Sequence, residues 1–268
     1  GSGSLVPANW VAFDVNSFAI RGNAAAEARG LTWGGAQSCA GQGGAWGDCN
    51  GLTHNGVRYD SPTFGGFSVS AGWGEDDFWD VAARYAGEFG GFKLAAAVAY
   101  NEVTDQAYNN LAGVPDQDYL QAGAFLMHVP TGLFGLVNYG SLDVDGSAND
   151  AETWYGKIGL RTRLSALGHT VFYGEYLNGQ DGGGATYAAG AGGGSCVTVP
   201  ATATAPAFDS CAHPGSELEV WGAGIVQEID AAAMSVWVKY RNLSYDSGVA
   251  GEGYEDFNNV GVGGLINF

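Results

Sequence analysis

The sequence is short of positive charge: 10 Lys plus Arg stand against 28 Asp plus Glu, a formal net charge of −18. Nucleic-acid binding rests on cations that neutralise phosphates, so this balance excludes it. Uninterrupted apolar runs of about 18 residues are also absent, which excludes a transmembrane helix. A membrane is not thereby excluded, because a barrel strand crosses lipid in about 9–11 residues with apolar side chains on one face alone. A mean hydropathy of −0.02 suits such one-sided strands. The opening Gly-Ser-Gly-Ser lacks a basic region followed by an apolar one, so no signal peptide is read there; either the chain is mature or its start is missing. Catalytic patterns are lacking too. His54, His128, His169 and His213 are scattered without metal-ligand spacing, and neither Gly-x-Ser-x-Gly nor His-Glu-x-x-His occurs. The expectation is no enzyme, with a Ser/His barrel as the open alternative.

What is present favours β-structure. Hydrophobic residues make up 46% and aromatics 13%, too much packing material for a disordered acidic chain. The 46 glycines disfavour helices, each costing about 1 kcal/mol in a helix interior. After residue 55 apolar and polar residues alternate with a period of two, the signature of strands with one apolar face. Phe67, Val69, Ala71 and Trp73 alternate with Ser68, Ser70 and Gly72; Met234, Val236, Val238 and Tyr240 alternate with Ser235, Lys239 and Arg241. The pattern predicts eleven strands, near 56–61, 66–74, 78–87, 91–103, 117–129, 132–143, 153–164, 168–178, 216–228, 232–245 and 256–268, with a twelfth over part of 10–22.

Connections alternate in length. Those at 61–65, 87–90, 129–132, 165–167 and 228–231 are tight, whereas those at 75–78, 104–116, 143–152, 179–215 and 246–255 are acidic and mostly longer. One smooth and one elaborated rim is the arrangement of an outer-membrane barrel. A soluble sandwich alternates as well but need not sort its loops by length. The low-complexity segment 179–215 reads as a flexible surface loop, with a ligand-binding lid as the alternative.

Eight of the ten cations, Arg58, Arg84, Lys93, Lys157, Arg161, Arg163, Lys239 and Arg241, fall within predicted strands opposite the apolar face. Facing hydrocarbon they would cost about 2–4 kcal/mol each, so they are expected to face an enclosed, wet interior, solvated or paired with acids such as Asp60, Asp80 and Glu175. Aromatics gather at strand ends, as in two interfacial girdles. Cys39 and Cys49, and Cys196 and Cys211, form two local pairs. They suggest two disulfides in an oxidising compartment rather than a thiolate metal site, since Cys-x2-Cys spacing is missing. Acidic clusters on the elaborated rim, Glu75-Asp76-Asp77 among them, can hold Ca²⁺ and bridge to anionic lipopolysaccharide.

Val57-Arg58-Tyr59-Asp60-Ser61-Pro62-Thr63-Phe64-Gly65-Gly66-Phe67, Gly74-Glu75-Asp76-Asp77-Phe78-Trp79-Asp80-Val81, the run from Arg84 to Leu94 and the terminal Phe268 resemble the general porins of Gram-negative bacteria, especially the alphaproteobacterial branch. The resemblance covers about 17–268. It implies an antiparallel transmembrane β-barrel of 16 strands, assembled as a homotrimer in the outer membrane, with an inward-folded loop that narrows the pore. By this resemblance residues 23–55, including Asp48 and the Cys39/Cys49 pair, form that constriction loop, and Arg58, Arg84, Lys93, Arg161 and Arg163 belong to the facing wall. The family has four or five strands before that loop and this chain at most one. Either amino-terminal strands are missing from the sequence or 10–22 completes a 12-stranded barrel. The function expected is passive diffusion of small hydrophilic solutes and ions. The alternatives are a plugged barrel acting through its external loops and a soluble ligand-binding sandwich.

Overall fold

The computed structural model describes residues 18–33, 55–74, 77–104, 116–145, 149–182, 184–188, 196–199, 208–212 and 215–266. A short helical turn, α1 (Ala24–Glu27), precedes the strands β1 (Gly56–Asp60), β2 (Phe67–Gly74), β3 (Trp79–Phe89), β4 (Phe92–Val103), β5 (Gln117–His128), β6 (Leu133–Val144), β7 (Ala151–Ser165) and β8 (Gly168–Gln180). Then come three short strands, β9 (Gly184–Ala188), β10 (Cys196–Val199) and β11 (Phe208–Ala212), followed by β12 (Glu217–Ile229), β13 (Met234–Asp246) and β14 (Phe257–Ile266). Eleven strands form one sheet in the order β1 to β8, then β12, β13 and β14, every neighbour antiparallel. All eleven predicted strands are therefore found, with ends shifted by up to two residues.

Two further segments stand outside the large sheet. The 179–215 segment is not irregular throughout: β8 runs on to Gln180, and β9, β10 and β11 make a separate sheet in the order β10-β11-β9. Its Thr and Val supply β-propensity that the surrounding Gly and Ala conceal. Residues 18–22 form no twelfth strand of the large sheet. They carry isolated bridges, Ala19 to Thr32 and Gly22 to Tyr254; residues 10–17 lie outside the described residues.

Tight turns set the register. Gly90 and Gly91 join Phe89 to Phe92 with φ of 55° and 81°, a left-handed pair that matches the right-handed twist of the flanking strands. Register then propagates from strand to strand and gives the sheet two unlike faces. On the outer one Val69, Val81, Val98, Val137, Ile158, Val238 and Val262 are exposed. The ring pairs Phe67–Tyr85 and Phe92–His128 sit near the tight turns, and Trp79–Tyr100, Tyr139–Trp154 and Trp221–Tyr240 lie toward the other rim. An apolar belt between two aromatic bands is the surface that a bilayer covers.

The inner face carries the core. Tyr155, Leu177, Leu218, Val220, Leu243 and Tyr245 of β7, β8, β12 and β13 pack with Ile20, Leu31 and Trp33 of the 18–33 segment. That segment thus lies on the inner wall, toward the elaborated rim. Asn23 caps α1 by accepting from the Ala26 amide at 3.0 Å, and the Asn23 amide donates to Gly253 O at 2.8 Å.

Candidate functional site on the inner wall

The registers place all eight strand cations on the face opposite the apolar belt. Arg58 stands across from Gly72, Arg84 from Ala97, Lys93 from Met127, Lys157 from Leu136, Arg161 from Val171, Arg241 from Gly222 and Lys239 from Gly224. Arg163 is two positions beyond Arg161, and its Nη2 reaches Asp230 at 3.0 Å. Nothing draws the eight into one cluster; they fall into separate groups with different surroundings.

At mid-wall three charged residues, from β7, β8 and β13, meet across a glycine of β12. Glu175 of β8 stands between Lys157 of β7 and Gly222 of β12, and Gly222 in turn faces Arg241 of β13. The Arg241 guanidinium reaches across β12 and donates from Nε to Glu175 Oε1. Tyr155 OH donates to Oε2 at 2.6 Å, and Lys157 Nζ lies 3.5 Å from the same oxygen. Gly222 makes the crossing possible, since a Cβ there would lie 2.6 Å from Tyr240 O and 2.9 Å from Arg241 Cγ. Lys157 Nζ also lies 4.4 Å from the Tyr173 ring centroid, a cation–π geometry. That ring fills the space over Gly224, where a Cβ would be 2.5 Å from it. Glu175, Lys239 and Arg241 are buried, so this part of the wall is packed rather than open.

Near the tight turns a second group forms. Arg161 grips Glu228 through both ends of its guanidinium, at 2.9 and 2.6 Å, and Arg163 holds Asp230. His169, Glu228 and Asp230 have potential ligand atoms within 4.8 Å of one another, but both carboxylates are already engaged by guanidiniums, so the chemistry there is that of ion pairing. The remaining cations stand apart: Arg58 pairs with Asp60 at 2.9 Å, Arg84 donates to Ser70 Oγ at 2.9 Å, and Lys93 lies 3.7 Å from Glu88.

A third group fastens the 18–33 segment. Glu252, whose side chain is 4% exposed, accepts from Arg29 Nε, from Ser247 Oγ at 2.8 Å and from Tyr254 OH at 2.9 Å. Burial alone would raise this carboxyl. The three donors outweigh it and hold the group below the usual carboxylate range. The same burial and the adjacent carboxylate push the Tyr254 hydroxyl up.

Sequence reasoning named the cations and Glu175 but not Gly222, Tyr155, Glu228, Asp230 or the Arg29–Glu252 fastening. Gly222 and Arg241 are adjacent because of hairpin register, which could have been counted from the turn at 229–233; Arg29 and Glu252 are 223 positions apart and no local pattern links them. Asp48, Cys39, Cys49, Glu75, Asp76 and Phe268 lie outside the described residues, while Asp77 is exposed on a turn. Cys196 and Cys211 are direct register partners in β10 and β11.

A sheet with lipid-type apolar residues outside, charge inside and a segment folded onto its inner wall matches the family model described as Gram-negative porin, over residues 4–195. The chain belongs to the Gram-negative porin family. Membership places it in the outer membrane. No curated protein matches it. Among solved structures, it is similar to the anion-selective porin from Comamonas acidovorans at 18% identity and a TM-score of 0.50, with 86% of this chain and 64% of that one covered. It is also similar to OmpT, an outer membrane protein of Vibrio cholerae, at 14% identity, a TM-score of 0.46 and coverage of 97% and 72%. A third is Pseudomonas aeruginosa OpdK with vanillate, at 12%, 0.45, 78% and 55%. At 18% identity the likeness to the Comamonas porin is one of fold. The chain spans just under two thirds of the Comamonas porin.

Proposed function

We propose that this porin forms a water-filled channel through which small hydrophilic solutes and ions diffuse passively. The observation that supports it is the sorting of charge: all eight strand cations share the face turned away from the exposed apolar belt. Such sorting stabilises a barrel only where the inner face meets water or counter-charges. The mechanism needs no covalent chemistry. Width sets a size limit, and paired charges along the wall orient polar solutes and disfavour apolar ones. The 18–33 segment folded onto the inner wall narrows the channel there.

The apolar contacts of Ile20, Leu31 and Trp33 favour a second reading, a plugged barrel that acts through its outer loops. Reconstitution of the full-length protein into planar bilayers separates the two. The channel reading expects stepwise, ohmic conductance in 1 M KCl (on the order of the salt levels at which screening is strong). Insertion without conductance refutes it and leaves the plugged barrel.

A further inference from the structure

The outer belt is dented. Across β4 to β7 it holds a groove of about 480 Å³ lined by Phe92, Leu126, Leu133, Val137 and Ile158. That volume lies within the roughly 300–1,000 Å³ of sites that take a drug-sized ligand. Gly135 forms the floor, since register sets it between Leu126 and Ile158, both exposed. The protein's own structure does not require glycine there. Gly135 is not in the left-handed region, and a Cβ on it would meet no atom within 4 Å, whereas at Gly222 a Cβ would run into Tyr240 and Arg241. Glycine inside a strand weakens it and often marks a place where a ligand or another backbone comes close. One end of the groove is polar. His128 lies there beside the 129–132 turn, its ring centroid 4.8 Å from that of Phe92 and its Nδ1 2.8 Å from Thr131 Oγ1.

We infer that this groove holds one acyl chain of a phospholipid from the periplasmic leaflet, with the headgroup beside His128. The belt is the face that the bilayer covers, so what fills a groove in it is lipid. Short turns of such barrels face the periplasm, which puts the His128 end at the phospholipid leaflet and away from lipopolysaccharide. Within hydrocarbon one apolar surface gains nothing by leaving water, so retention rests on packing. A chain lying in the groove has wall atoms on several sides, and an unfilled groove forfeits those contacts. At the mouth the imidazole has a second nitrogen beyond the one that meets Thr131, and its N–H can donate to a phosphate oxygen. The site is on the outer wall and goes beyond the channel reading.

The test uses the full-length protein in phosphatidylethanolamine vesicles doped with a phosphatidylethanolamine whose acyl chain carries a diazirine. After irradiation the labelled residues are mapped by peptide mass spectrometry. Labelling should be several-fold denser at Leu126, Leu133 and Ile158 than at Val69, Val238 and Val262, which belong to the same exposed belt. Gly135→Leu fills the groove from its floor and should abolish that excess. Ala124→Leu, in the lining, does the same where Gly135→Leu does not assemble. The excess should persist when lipopolysaccharide is added to the leaflet at the elaborated rim; its loss there would assign the groove to lipopolysaccharide and overturn the inference. Even labelling of the belt in the wild type overturns it, as does an excess unchanged in either variant. Labelling at the groove below that of the rest of the belt would mean that a second copy of the chain covers it, and overturns it as well. None of these outcomes is read from conductance, so failure of the channel reading and failure of the lipid site are told apart.

Discussion

Replacing Glu252 by Gln should loosen the 18–33 segment from the inner wall. The carboxylate receives three donors and is almost fully buried, with Arg29 as its counter-ion. Gln keeps the shape but exchanges one acceptor oxygen for a donor and leaves Arg29, three quarters buried, facing a neutral amide. Hydrogen bonds to a charged group contribute about 1.5–3 kcal/mol each. Losing one fully and weakening the others amounts to about 3 kcal/mol, or roughly 100-fold in the ratio of docked to released segment. Hydrogen exchange reads this directly. The amides of Asn23, Glu27 and Ala28 donate to Gly253 O, Asn23 O and Ala24 O, so they are protected while the segment is docked and α1 is formed. Their exchange should quicken by about two orders of magnitude in the variant, while amides of β12 and β13 keep wild-type rates. Acid should act on the wild type in the same way. Because Glu252 is held below its ordinary range, its contribution is complete above the unfolded value near pH 4.3 and is lost as pH falls through the lower folded value. Unchanged protection of Asn23, Glu27 and Ala28 in E252Q at neutral pH would refute the reasoning.

Other consequences can be measured alongside. Trp33 is 1% exposed and packs near Phe257, with ring centroids 5.9 Å apart, so W33A should cost about 3–5 kcal/mol of docking. By hydrogen exchange it should release the segment more completely than E252Q; a smaller effect would mean that the ion pair, and not the apolar contact, anchors it. Val262 lies in the outer belt at 78% exposure, so V262R should destabilise the barrel in lipid vesicles by about 2–4 kcal/mol in urea titrations, and a neutral result would place β14 away from lipid. Arg161→Gln with Arg163→Gln leaves Glu228 and Asp230 without their guanidiniums, so the reversal potential under a salt gradient should move toward cation selectivity. An unaltered reversal potential would show that this rim does not face the ion path.

The strands and their two faces were legible because each rests on a local rule. Alternation in Phe67–Trp73 or Met234–Tyr240 needs two neighbours to be read, and the Gly90–Gly91 turn fixes pairing within a hairpin. The eight cations were assignable to the inner face on cost alone, since a charge in hydrocarbon is penalised whatever its partners. The β9–β11 sheet was missed because its strands are four or five residues long and lie among Gly, Ala and Pro, where no period accumulates.

Local sequence therefore determined the strands, the sidedness of the wall and the membrane setting, since a period of two and the cost of a buried charge act over a few residues. Tertiary structure alone decided which charges meet. Lys157, Glu175 and Arg241 come together through registers accumulated over β7, β8, β12 and β13, and Arg29 finds Glu252 because an apolar segment folds back onto the far end of the chain. Those contacts depend on burial in three dimensions, which no spacing along the sequence encodes.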